Sequence, residues 1–201
     1  MNNLHEGRVV WVTGSASGIG RATVEEIISE GGFAVGSDLP NSDLSWAEGN
    51  ERIAIVEGDV ADPDHNDEAV NVALEQFGRL DGAVLNAGIA ERGDLFGESM
   101  ELFDRVQEVN VRAVVLGIRS VAKVMRPGSA ITVTASTSGM RGDPGMWIYN
   151  TSKAAVINLV RSASMDLAGR GIRINAVCPG PTKTGMTAGP YDEGSSGYED
   201  L

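Results

Sequence analysis

One cysteine, two histidines and 16 Lys+Arg against 28 Asp+Glu occur in 201 residues, leaving a formal net charge of -12. A single thiol, Cys178, cannot close an internal disulfide, so a disulfide scaffold is excluded. With no basic-then-apolar start either, a cytoplasmic setting is the expectation. His5 and His65 have no Cys or His neighbours at ligand spacing, and no metal site is expected. The acidic balance, without any Lys/Arg cluster, argues against nucleic acid or an anionic membrane surface as a partner. Charge or glycine interrupts every apolar stretch before the roughly 18 residues that a membrane span needs.

Apolar residues, by contrast, are plentiful at 42%, enough for a buried core in one soluble domain. The 26 glycines fall between apolar runs with no Gly-X-Y period, which marks tight turns rather than collagen or disorder. Short apolar runs at 8–12, 33–37, 53–57, 82–85, 130–135 and 173–177 alternate with amphipathic stretches at 18–30, 64–77, 98–125 and 147–168. The third of these stretches is expected to break near Val109. This alternation predicts an α/β fold: a doubly wound, Rossmann-type, mostly parallel sheet of about six strands flanked by helices. Such sheets bind ligands beyond the carboxyl ends of their strands. Residues 1–186 read as one dinucleotide-binding and catalytic domain, and the Gly/Ser/acid-rich tail 187–201 as a mobile segment or part of a substrate lid.

Just after the first run comes Thr13-Gly14-Ser15-Ala16-Ser17-Gly18-Ile19-Gly20, leading into a helix. Glycines there let the backbone approach a pyrophosphate, and the helix N-terminus offers free N–H groups and partial positive charge. Alone, this would be only a strand-to-helix turn. The next strand, however, ends at Asp38, near the spacing of roughly 20 residues expected of a carboxylate that binds an adenine-ribose diol. Asp38 would repel a 2'-phosphate, and neither Ser17 nor Leu39 is basic, so NAD is favoured over NADP.

Tyr149 and Lys153 stand four apart at the start of a helical stretch and therefore share one face. A cation held there would stabilise phenolate and lower the tyrosine pKa. Ser136, at the end of the fifth apolar run, could donate to a substrate carbonyl.

Taken together, these residues resemble the short-chain dehydrogenase/reductase family, in its compact branch with the TGxxxGxG and YxxxK motifs. Also similar to that family, and in its order along the chain, are Asp59-Val60, Asn86-Ala87-Gly88, Asn110, Ser136, and Pro179-Gly180 followed by Thr184. The resemblance implies that Tyr149 is the general acid/base, that Ser136 holds the substrate oxygen, and that Lys153 binds the nicotinamide ribose while tuning Tyr149. It assigns Asn110 to holding a water in the proton relay. Gly14, Ser17, Gly18, Ile19 and Gly20 would form the pyrophosphate turn, Asp38 would hold the adenine ribose, and Asp59 and Val60 the adenine. Asn86, Ala87 and Gly88 would line the cofactor's central stretch, with Pro179, Gly180 and Thr184 near the carboxamide or phosphates. Homodimers or homotetramers through the third and fourth helical stretches are also implied.

The family pattern continues past Met186 with a substrate-covering segment, a further helix and a seventh strand, and 187–201 shows none of these. The sheet is therefore expected to end at 173–177 as an edge. Two functions stay open: an NAD-dependent oxidoreductase interconverting a secondary alcohol and a ketone, or an NAD-binding or regulatory protein without productive catalysis. The substrate is left unspecified, with its pocket expected from 89–97, 139–147 and 186 onward. Met146 and Trp147 could be pocket walls or helix packing. Cys178 reads as a small buried packer.

Overall fold

In a computed structural model that describes residues 3–186, Val9–Thr13 (β1) is buried at every position, as a strand covered on both faces must be. Residues 187–201, with the expected tail or lid, lie outside the described residues. The other strands are Phe33–Asp38 (β2), Ile53–Glu57 (β3), Gly82–Leu85 (β4), Ala130–Thr134 (β5) and Arg173–Val177 (β6). Every pairing is parallel, in the order β3-β2-β1-β4-β5-β6, so the fold is the doubly wound α/β sheet that the alternation predicts. Strand order reverses between β1 and β4, which opens a crevice beyond their carboxyl ends. Among the described residues β6 is an edge, with Arg173, Asn175 and Val177 exposed.

Alternation along β1 divides the core. Val9 and Trp11 face aliphatic neighbours on one side of the sheet, including Val35, Ile131, Val133 and Val156, while Val10 and Val12 meet Val24 and Ile27 on the other. Trp11 is fully buried, and its indole N–H donates to Ser37 Oγ at 2.7 Å, so no polar group is stranded by burying so large a ring. Gly18–Ser29 (α1) supplies the second side. Pro63–Phe77 (α2), Ala113–Val124 (α4) and Trp147–Ala168 (α5) supply the first. Pro63 opens α2 at a position whose N–H has no helical partner, and the Asp62 carboxylate accepts from Asp64 N at 3.0 Å as its cap. Cys178 is half-buried against the main core, in keeping with a packing role.

The stretch expected to break near Val109 is Met100–Gln107 (α3) followed by a π turn at Glu108–Arg112 and then α4. The rod continues, but its wider turn re-aims Asn110 inward, where it is completely buried. Such π turns are frequent at functional sites.

His65, on α2, is buried with neither ring nitrogen hydrogen-bonded, its ring filling the space beside Gly58. Burial pushes its pKa below the ordinary imidazole range, although the carboxylates of Glu68, Asp62 and Asp59 pull the other way. A base whose pKa falls on folding binds more protons when unfolded. Its stabilising contribution is therefore present above about pH 6.5 and is lost as pH falls below that value. Melting temperature should drop between pH 7.5 and 5.5, and His65→Gln should flatten that drop. Equal slopes for the two proteins would remove His65 as the cause.

Candidate active site

The turn between β1 and α1 is shaped by close approach. Gly14 has φ 70, and a Cβ on Gly20 would lie 2.0 Å from the Gly14 carbonyl oxygen. The chain can thus double back tightly only without a side chain at these two positions. Gly14, Ser17, Gly18 and Ile19 line the resulting cleft; Gly20 is buried and does not. Thr184 overhangs the turn, its methyl 3.1 Å from the place of a Gly18 Cβ.

Asp38 ends β2 facing this turn. One carboxylate oxygen accepts from Ala16 N at 2.8 Å, and the other from Leu39 N at 2.8 Å and Ser42 Oγ at 2.9 Å. Arg21, on the neighbouring helix, is engaged with Glu25 at 2.8 Å and lies over the Trp46 ring. Beside Asp38, the loop after β3 brings Gly58, Asp59 and Val60 to the same wall, joined by the Gly58 N–H to the Asp38 carbonyl at 2.9 Å. Burial opposes ionisation of Asp59, but the Ala61 N–H and the Arg105 guanidinium outweigh it and hold this carboxyl below its ordinary range.

The centre is held by Thr13, whose hydroxyl accepts from the backbone N–H of Asn86 at 2.9 Å and of Ala87 at 3.0 Å. These bonds lock the exit of β4 to that of β1 at the switch point. Asn86, Ala87 and Gly88 line the cleft. Asn110 stands behind them with both amide hydrogens engaged: Oδ1 accepts from Ile89 N at 2.9 Å, and Nδ2 donates to Ile89 O at 2.9 Å and Ser152 Oγ at 3.0 Å. One buried amide therefore ties the β4 exit loop to α5, next to Lys153.

Ser136, Tyr149 and Lys153 come together across the crevice from the glycine turn. Ser136 follows β5 and its hydroxyl accepts from Ser138 N at 3.1 Å, which fixes its rotamer. Lys153 is almost wholly buried; its Nζ donates to Thr134 O at 2.8 Å and lies 5.7 Å from the centre of the Tyr149 ring. Burial pushes the lysine pKa down to about 8, with Cys178 nearby acting in the opposite sense. Tyr149 departs from the expectation of a lowered pKa: burial raises it, and a hydrogen bond with Ser136 only partly offsets that. Desolvating a phenolate costs more here than its neighbours return.

Pro179, Gly180 and Thr184 complete the rim, with the loops after β5 and β6 joined by Thr137 N to Pro179 O at 3.0 Å. At the far end the cleft is walled by Ile89 to Arg92, by Arg141 to Pro144, and by Met146 and Met186, all within the segments expected for a substrate pocket. Trp147 is not on this wall; it stacks on Phe103 of α3 at 5.7 Å, while Met146 does face the cleft. Arg105, Ser152 and Thr134 were not legible as site residues, because each acts through a partner remote in sequence. The cleft holds about 1610 Å³, more than the 300–1,000 Å³ or so typical of a drug-sized ligand.

A glycine turn under a helix N-terminus, at the switch point of a parallel sheet and facing a Ser, a Tyr and a Lys, defines a dinucleotide-type α/β site. Comparison with known proteins gives the family. Residues 14–199 match the family model described as enoyl-(acyl carrier protein) reductase. The chain is 38% identical over 197 residues to 2-(R)-hydroxypropyl-CoM dehydrogenase of Xanthobacter autotrophicus, covering 92% of this chain and 79% of that one. A short-chain dehydrogenase from Burkholderia cenocepacia, solved with NADP, superposes with TM-score 0.87 at 32% identity over 94% of this chain and 80% of its own. Another, from Burkholderia phymatum and solved with NAD, gives TM-score 0.84 at 33% identity over 90% and 68%. The chain belongs to the short-chain dehydrogenase/reductase family, a family of oxidoreductases.

Proposed function

We propose that this protein is an NAD-dependent oxidoreductase that interconverts a secondary alcohol and a ketone through Ser136, Tyr149 and Lys153. The observation that carries this reading is that these three side chains line the same cleft as the glycine turn and Asp38. The crowding at Gly14 and Gly20 fits a pyrophosphate turn, because a Cβ at either position would press on Ala87, Asn86 or the Gly14 backbone and open the tight bend that presents the helix N-terminus to the cleft. Gly14, Ser17, Gly18 and Ile19 would hold that pyrophosphate, Asp38 the adenine ribose, Asp59 and Val60 the adenine. Asn86, Ala87, Gly88, Pro179, Gly180 and Thr184 would follow the cofactor towards its nicotinamide end. When bound, the nicotinamide ring supplies the two-electron acceptor or donor.

The chain's own part is orientation and one proton transfer. Ser136 holds the substrate oxygen, and Tyr149 donates a proton to it when a ketone is reduced or removes one when an alcohol is oxidised. A phenol kept protonated by burial is ready for reduction; oxidation calls for phenolate and should be faster at alkaline pH. Lys153 would hold the nicotinamide-ribose hydroxyls, and with its pKa lowered by burial to about 8 it is a cation only below that pH. Asn110 serves the relay by fixing the Ile89 loop and Ser152, and so the helical turn that bears Lys153.

The relatives solved with NADP and with NAD leave either dinucleotide open to the family, and Asp38 is what favours NAD in this chain. A carboxylate near a 2'-phosphate costs about 1 kcal/mol per charge pair at 4 Å in water and about 4 near a protein surface. Titration of the purified chain should thus show NAD binding at least about tenfold tighter than NADP, and Asp38→Asn should narrow the gap by weakening NAD and relieving NADP. Preference for NADP in the unaltered chain would overturn this assignment.

A further inference from the structure

The loop that would meet the adenine is not held by its own strand alone. Arg105, on α3, sends Nη2 to Asp59 Oδ2 at 3.1 Å and Nη1 to Glu108 Oε2 at 3.2 Å. Seven residues on, across the π turn, Arg112 Nη1 donates to Ala61 O at 2.7 Å and lies 3.9 Å from Glu108 Oε1. Two guanidiniums bridged by one carboxylate therefore grip Asp59 and Ala61 from the segment that carries Asn110. Asp59 is constrained at both oxygens, since its Oδ1 accepts from Ala61 N at 2.9 Å. Asp59, Val60, Arg105 and Val109 all line the cleft.

We propose that Arg105 is a positioning residue for purine recognition: by holding Asp59 Oδ2 it turns the remaining lone pairs of that carboxylate towards the cleft, where they select a 6-amino over a 6-oxo purine. The inference rests on the reading of this cleft as a dinucleotide site. Its chemistry follows from donors and acceptors. An ionised carboxylate only accepts, so it welcomes the exocyclic amine of adenine and repels the carbonyl oxygen of hypoxanthine. Freed from Arg105, the same carboxylate loses the hold on Oδ2 and rotates about its remaining bond to Ala61 N. Stability is only a modest part of the explanation: with side-chain exposures of 44% for Arg105 and 36% for Asp59, each exposed ion pair of this kind contributes about 0.2–1 kcal/mol.

The test is calorimetric titration of the full chain with NAD and with nicotinamide hypoxanthine dinucleotide. The unaltered protein should bind NAD at least about tenfold tighter than the analogue, a ratio set by one matched against one opposed polar contact. Arg105→Gln should reduce the ratio to about threefold or less, chiefly by weakening NAD, and Arg105→Lys should restore most of it. Asp59→Asn should collapse the ratio equally, with nothing further lost in the double variant. A structural role would lower the melting temperature and leave the ratio alone, so an unchanged ratio in Arg105→Gln overturns the proposal. Equal binding of both dinucleotides by the unaltered chain overturns it as well. Failure of the unaltered chain to bind NAD at all would instead count against the dinucleotide reading on which it rests.

Discussion

Replacing Tyr149 by Phe should lower turnover by a factor of about 10² to 10⁴, the range that a positioned proton donor contributes, while leaving NAD affinity within about threefold of the unaltered chain. The split follows from the geometry. The ring of Tyr149 packs at the start of α5 and would be retained, while the variant loses the hydroxyl that faces Ser136, the group proposed to exchange a proton with the substrate oxygen. Lys153 is not expected to replace it, because burial and the bond to Thr134 O anchor its Nζ 5.7 Å from the centre of the Tyr149 ring. The measurement is NADH formation or consumption over a panel of secondary alcohols and ketones, with binding followed separately by fluorescence. Undiminished turnover in the variant would move the proton transfer elsewhere. Dinucleotide binding by the unaltered chain without turnover on any member of the panel would favour the non-catalytic alternative.

The second large effect concerns the turn. Gly20→Ala places a methyl 2.0 Å from Gly14 O, 2.7 Å from Gly14 C and 2.9 Å from Asn86 Nδ2. Two of these three neighbours are backbone atoms, so no rotamer change can relieve the contact, and the turn must open. NAD affinity should fall by about 100-fold or more, and overpacking of this kind should cost roughly 1–3 kcal/mol of stability. Gly169→Ala provides the control: nothing lies within 4 Å of its Cβ position, and its φ of -63 suits any residue. Its effect on stability should stay within about 0.5 kcal/mol. Wild-type NAD affinity in Gly20→Ala would mean that the turn does not cradle the dinucleotide.

Much of this was legible along the chain because it is local. A strand buried on both faces is written as a run of apolar residues, and β3, β4, β6 and α5 occupy the ranges their patterns predict. β1 runs one residue further than its apolar run because Thr13, polar in sequence, still pairs with Ser37 and then turns its hydroxyl to the β4 exit. Single helical turns at Ser45–Ala47 and Thr137–Gly139 are too short to carry a periodic signal. At the site, the glycine spacing and the pair four residues apart are short-range features, and so they were visible. Met146 and Trp147 are adjacent in sequence yet part company in space, because Met146 is the non-helical residue before α5 and faces the cleft, while Trp147 opens the helix and stacks on Phe103.

By itself, then, the amino-acid sequence determined the sheet's composition, the glycine turn, the carboxylate at the end of β2 and the Tyr149/Lys153 face, since each depends on spacing within a few residues. Tertiary structure alone decided the ionisation of Tyr149 and Lys153, the use of the Asn110 amide as an internal tie, and the grip of Arg105 on Asp59. Those properties depend on desolvation and on partners 13 to 46 residues away, from Tyr149 and Ser136 to Arg105 and Asp59. Neither burial nor such long-range pairing leaves a local pattern to read, because both exist only once the chain has folded.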